Sequence, residues 1–186
     1  MSPITMATLL PALFCFLLGT PLAEAVDRVV SVVGERLVTQ SDLDLEAALV
    51  GLDESTIPPL AQESDLLRRL EDYRLIRSLA GEIPIYVPPH RDLDARLVAI
   101  QSRFDSGNAY LAFLAHWGMA ESDLRNFLRS RMVVENFVHR AVGLRVRAEI
   151  EAEDPEYNQH YREAYEIWIE PLRTDRGIRR IPVASP

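Results

Sequence analysis

The sequence predicts a mainly α-helical fold: a helical bundle with a small β-hairpin near the mature N-terminus, joined by a C-terminal strand. Apolar residues recur at helical spacing through most of the chain after residue 41. Residues 26–33 are rich in valine and are followed by a Gly-Glu turn and a second short apolar run at 36–39, which is typical of a hairpin. Residues 177–183 look like a strand that has no local partner. The length of 186 residues suits one domain, or one domain with an appendage.

The first 25 residues predict a signal peptide. The apolar run Met6–Leu18 is shorter than the roughly 20 residues that a membrane-spanning helix needs. Ala-Glu-Ala at 23–25 is a small-x-small cleavage site, so we expect cleavage after Ala25, export to the periplasm and no integral membrane segment in the mature chain. The alternative is an uncleaved anchor. Cys15, the one cysteine, would leave with the signal, which excludes disulfides and thiol catalysis.

The first predicted helix starts at Ser41 and ends near Gly51. The Ser41 hydroxyl followed three residues later by the Asp44 carboxylate has the spacing of a capping box. Acidic residues crowd the first turns, where the helix dipole favours negative charge: Asp42, Asp44 and Glu46. A calcium loop is the weaker interpretation, because the required glycine and closing glutamate are missing.

The later segments predict further helices with apolar faces. Glycine and proline mark their ends, and we expect Gly143 to end or bend the longest helix and Pro171 to kink or end the last one. The predicted ranges are about 64–80, 89–104, 109–117, 121–147 and 156–173.

Charge and motifs exclude several functions. The chain has 28 acidic and 20 basic residues, a formal charge of −8, and no basic run, which argues against nucleic-acid binding. The histidines lack the close spacing of a zinc motif, and the sequence has no phosphate loop, dinucleotide fingerprint or nucleophile elbow. We therefore expect no catalytic residues, no metal and no cofactor. The four histidines are His90, His116, His139 and His160.

Three blocks of sequence resemble SurA-type periplasmic chaperones. Residues 26–43, VDRVVSVVGERLVTQSDL, resemble the mature start of that family, "VD-x-V-x-x-VV", a turn, and "SD" entering a helix. Residues 113–125 are similar to the family's helix, turn and "EEDLR" stretch. Residues 165–173 and 178–181 resemble its closing helix and strand. The order of the blocks is the family's order.

The resemblance implies a domain division. Residues 26–147 would form a helical domain like the family's N-terminal one, and residues 148–186 a helix and strand packing back on the same core. The family's parvulin-type prolyl isomerase domains lie between the long and closing helices, but here only residues 148–156 separate them, far fewer than the roughly 50 of a small domain. Two further departures are Ala120 in place of the N-cap hydroxyl and the interrupting Pro171.

The resemblance implies an ATP-independent periplasmic chaperone that binds unfolded exported or outer-membrane polypeptides, without isomerase or other enzymatic activity. A non-catalytic structural or adaptor subunit of a cell-envelope assembly, with one fixed partner, is the alternative, and an enzyme is the weakest of the three hypotheses. Large aromatic and adaptable methionine side chains suit varied client sequences, although for any single one of these residues the core is the favoured place. The candidate peptide-binding residues are Tyr110, Phe113, Trp117, Met119, Phe127, Met132 and Phe137.

Overall fold

A computed structural model describes residues 27–53, 57, 59–60, 65–81 and 83–182. The predicted signal peptide and its cleavage site lie outside these residues. The described chain is mainly helical with one small sheet, as the sequence predicted.

The sheet joins the two ends of the described chain. Strands β1 (Val29–Val33), β2 (Arg36–Thr39) and β3 (Ile178–Arg180) are antiparallel in the order β2-β1-β3. Gly34 takes a φ of 60° in the hairpin turn, a left-handed conformation that glycine adopts without strain. The prediction that a C-terminal strand completes the hairpin is therefore confirmed, although β3 is shorter than the predicted 177–183.

Seven α-helices are described along the chain, with a 3₁₀ turn at Pro84–Tyr86 and a π-helical turn at His139–Gly143. None of the helices in the described residues is long and apolar enough to cross a membrane. The α-helices are α1 (Gln40–Val50), α2 (Leu66–Ala80), α3 (His90–Gln101), α4 (Gly107–His116), α5 (Glu121–Val138), α6 (Leu144–Glu149) and α7 (Tyr157–Asp175).

Helix α1 has its capping box two residues earlier than predicted. The Asp42 amide donates to the Thr39 hydroxyl (3.4 Å), and the Thr39 amide donates to the Asp42 carboxylate (3.0 Å). Ser41, the predicted cap, lies inside the helix and its hydroxyl donates to Asp27. The sequence offers two pairs with the spacing of a capping box, Thr39 with Asp42 and Ser41 with Asp44. Strand β2 ends at Thr39, so the first pair caps the helix.

At Gly143 and Pro171, where the sequence predicts a helix end or a bend, the helix does not end. The helical path does not stop at Gly143; it passes through the π-helical turn that joins α5 to α6. Pro171 does not end α7, which continues to Asp175. Proline removes one donor from the helix, and the carbonyl four residues earlier belongs to Ile167, whose side chain is 78% exposed, so water can replace the lost bond.

The buried apolar side chains form two clusters. The first joins the sheet to α2, the second half of α5 and α7; Val30, Ile76, Val138 and Tyr165 belong to it. The second lies between α1, α3, α4 and the first half of α5. The second cluster comprises Leu49, Leu93, Leu97, Ile100, Tyr110, Leu114, Leu124 and Leu128.

Candidate peptide-binding site

Helix α4 carries a row of aromatic rings. Ser106 caps this helix by accepting a hydrogen bond from the Ala109 amide (3.2 Å). Phe104 lies 5.6 Å from the ring of Tyr110 and 5.3 Å from that of Phe113. Three of the seven candidate residues are joined in this row, because the ring of Phe113 lies 6.5 Å from that of Trp117.

Accessibility separates the members of the row. Tyr110 is 5% exposed and its hydroxyl donates to Glu121 (3.3 Å), so it belongs to the core. Burial raises the pKa of Tyr110, which keeps the hydroxyl protonated. Phe113 and Trp117 are only partly buried.

Gly118 forms the turn that follows α4 and directs the chain back towards the second cluster. Its φ of 61° is left-handed, and the Met119 amide that follows donates to the Leu114 carbonyl (2.9 Å). This turn places Met119 against the same apolar cluster as Phe113.

The remaining candidate residues do not share one surface. Phe127 and Met132 both pack on the second cluster but line different cavities. Phe137 belongs to the first cluster, where its ring lies 4.9 Å from Tyr86 and 6.1 Å from Trp168. The structure thus places five of the seven predicted residues in or against the second cluster; Trp117 contacts the ring of Phe113, and Phe137 packs on the first cluster.

A cavity of about 160 Å³ opens beside Phe127 and is here named the Phe127 cavity. Three helices and strand β2 enclose the cavity. Most of its lining surface is apolar, and arginines and two carboxylates supply polar lining groups. Its lining residues are Arg36, Asp42, Leu45, Glu46, Leu70, Tyr73, Arg74, Arg77, Phe127, Ser130, Arg131 and Val134.

Arg131 is buried beneath two aromatic rings in this cavity. Its guanidinium carbon lies 5.0 Å from the ring centre of Tyr73 and 5.4 Å from that of Phe127. Burial by itself lowers the pKa of Arg131, but Tyr73, Glu46 and Asp53 raise it overall, so the side chain stays charged. The guanidinium therefore makes cation–π contacts with both rings at the cavity wall.

The polar rim of the cavity is made by α1, α2 and β2. Arg74 pairs with Asp42 at 2.9 Å, and Arg77 donates to the Ser130 hydroxyl at 3.2 Å. Arg36 on β2 is exposed. Arginine therefore dominates the opening, although the whole chain is acidic.

A network of buried ion pairs lies beside the Phe127 cavity. Glu46 forms an ion pair with Arg69 (2.9 Å) and accepts a hydrogen bond from Arg131 (3.1 Å), and Arg131 also approaches Asp53 at 3.4 Å. Arg96 then joins Asp53 to Glu135. Three guanidinium groups balance three carboxylates, which fixes four helices against one another without leaving a net buried charge.

The Phe127 cavity has a signal in the sequence that the candidate residues do not include. Leu70, Tyr73, Arg74 and Arg77 lie on one face of α2 at i, i+3, i+4 and i+7. Residues 127, 130, 131 and 134 repeat the same spacing on α5. A helical face that combines arginine with apolar residues indicates a partly buried surface, such as the wall of a cavity.

Comparison with known proteins does not assign this chain to a family. Among the described residues no group of three or more His, Cys, Asp and Glu side chains is arranged to hold a metal ion. No protein-family model matches the chain, and no curated protein matches it.

Proposed function

We propose that this protein is a SurA-like periplasmic chaperone that binds extended segments of unfolded exported or outer-membrane proteins. It uses no ATP and has no isomerase activity. The sequence resemblance, the predicted export signal and the candidate binding site support the proposal.

The Phe127 cavity is the observation that carries the proposal. A cavity of about 150 Å³ lined by apolar side chains accommodates a benzene molecule. The Phe127 cavity has about 160 Å³ and apolar walls from Leu45, Leu70 and Val134. One aromatic side chain of a client fits such a space. Hydrophobic burial is non-directional, so the residues that flank this side chain in the client can vary.

The polar rim suits the backbone of an extended client. Guanidinium groups donate in several directions, so arginines can bind the carbonyl oxygens of a chain that has no internal hydrogen bonds. Arg36, Arg74 and Arg77 supply such donors around the apolar wall. Trp117 and Met119, partly buried near the end of α4, offer a further apolar contact for the same client.

Peptide binding to a blocked cavity tests the proposal. Ser130 lines the Phe127 cavity and is partly buried on α5, so Ser130→Phe projects a ring into it. We expect a fluorescent extended peptide with aromatic residues to bind the native protein, and Ser130→Phe to weaken binding about tenfold, which corresponds to about 1.4 kcal/mol.

The matched control is Ser122→Phe, the same substitution at an exposed position of α5. It should leave the affinity unchanged. Equal affinities for both variants would remove the Phe127 cavity from the proposal. A purified protein that suppresses aggregation of no unfolded client, yet captures one folded protein, would favour the adaptor alternative.

A further inference from the structure

A second cavity lies beneath the π-helical turn and has no part in the proposed chaperone site. Its volume is about 240 Å³, and it lies between the end of α5, the π-helical turn, α6 and α7. Polar side chains dominate its lining, and we name it the π-turn pocket. They are Glu135, Asn136, His139, Arg147, Tyr157 and Tyr161.

Gly143 explains why polar groups converge at this turn. A β-carbon built on Gly143 would lie 2.9 Å from the His139 Nδ1 atom and 3.1 Å from the Tyr161 hydroxyl. The missing side chain lets an imidazole and a phenol approach the same point of the backbone. π-Helical turns occur often at functional sites.

The Tyr161 hydroxyl lies close to the Gly143 backbone, on a residue that lines the π-turn pocket. Its side chain is 3% exposed, and its ring packs in the first cluster with that of Tyr157 at 5.9 Å. Burial raises the pKa of Tyr161, so the hydroxyl keeps its proton and donates. A tyrosine hydroxyl at a pocket wall can donate a hydrogen bond to a bound ligand.

Arg147 gives the pocket positive charge. Its guanidinium lowers the pKa of His139 and opposes the rise in that of Tyr161, so its charge acts at both groups. Glu135 also lines the pocket, but both of its oxygens accept from Arg96 and its charge is compensated. The pocket therefore combines hydrogen-bond donors with a cation on a chain whose formal charge is −8.

We propose that the π-turn pocket binds a small oxyanion, the carboxylate or phosphate group of a small molecule. Arg147 supplies the charge, and the Tyr161 hydroxyl supplies a directed hydrogen bond to one anionic oxygen. The Tyr157 hydroxyl and the Asn136 amide border the same space. Gly143 leaves room for the Tyr161 hydroxyl and the His139 imidazole to approach the backbone at this turn.

Titration of the purified protein with sodium acetate and with inorganic phosphate, at constant ionic strength against sodium chloride, tests the proposal. The readout is the NMR signals of the His139 imidazole and the Gly143 amide. We expect saturable shifts with at least one of the two oxyanions and none with chloride. Saturation by acetate alone assigns a carboxylate ligand, and saturation by phosphate alone assigns a phosphate.

Two substitutions locate the bound anion. Tyr161→Phe keeps the packed ring and removes the hydroxyl, and Arg147→Gln removes the charge; each should weaken binding about tenfold or more, since hydrogen bonds to charged groups are worth at least that factor. Arg145→Gln is the control, because Arg145 is exposed on the same helix and outside the described lining. No saturable shift with either oxyanion, or equal effects of Arg147→Gln and Arg145→Gln, would overturn the proposal.

Discussion

Arg173 on α7 holds both carboxylate oxygens of Asp72 on α2, with nitrogen–oxygen distances of 2.8 and 2.6 Å. The Asp72 side chain is 3% exposed, and the Tyr165 hydroxyl donates to the same carboxylate at 3.0 Å. Arg173 also reaches Glu166 on its own helix. A segment close to the C-terminus is thus bound to a helix about 100 residues earlier by paired, buried charges.

We expect Arg173→Ala to destabilise the fold by about 3 kcal/mol, because it leaves the Asp72 carboxylate buried without its cation. Urea unfolding followed by circular dichroism measures the change. Arg176→Ala, an exposed arginine at the end of the same helix, is the control and should change stability by less than about 0.5 kcal/mol. Equal midpoints for both variants would show that the ion pair contributes no stability.

Removal of β3 should also destabilise the protein. A chain that ends at Arg176 loses the pairing of Ile178 with Val33, and Glu71, which is 2% exposed, loses Arg180. We expect a loss of about 2–4 kcal/mol. A chain that ends at Pro182 keeps β3 and is the matched control. If both shortened chains melt at the same temperature, the sheet does not depend on its C-terminal strand.

His139 should titrate below the ordinary histidine pKa of about 6.5. Burial lowers the pKa of His139 first, and the charges of Arg147 and Arg140 lower it further. Because the unfolded chain then binds the proton more readily than the folded one, this group reduces stability as pH falls from about 6.5 through the folded pKa. NMR titration of the imidazole measures the pKa.

Arg147→Gln removes one of the charges that act on His139, so it should raise the pKa of that imidazole. Arg145→Gln should leave the pKa closer to the native value. A His139 pKa that does not respond to Arg147→Gln would place the guanidinium too far away to act, and would also weaken the electrostatic argument for the π-turn pocket.

Prolyl isomerase activity should be absent. We propose a likeness to SurA-type chaperones, whose isomerase domains lie between the long and closing helices. In this chain only residues 150–156 separate α6 from α7. A protease-coupled assay on a proline-containing peptide should show the uncatalysed relaxation, over tens of seconds or longer. Catalysis by the purified protein that increases with its concentration would contradict this prediction.

The period of the apolar residues predicted most of the helices, because each helix buries one face. The apolar period did not predict which residue caps α1, since Thr39 and Ser41 each precede an aspartate by three residues. Only the strand that ends at Thr39 distinguishes the two.

The sequence predicted the candidate site only in part. Phe127 and Phe137 are ten residues apart on one helix, which separates them by about 15 Å along its axis and turns them to different faces. Nearness in sequence therefore grouped Phe137 with residues that belong to another cluster. The partners of Arg131 could not be predicted, since Glu46 and Tyr73 are brought to it only by the packing of three helices.

Photo-crosslinking in cells tests the central claim most directly. A photoreactive amino acid replaces Trp117, Met119 or Phe127 in turn, and Ile167 is the control because it is 78% exposed on α7, which packs on the other cluster. If unfolded clients bind at the Phe127 cavity and the end of α4, these three positions should capture several unrelated outer-membrane polypeptides and Ile167 should capture none. Capture of a single folded partner, or no capture from any of the three positions, would contradict the account.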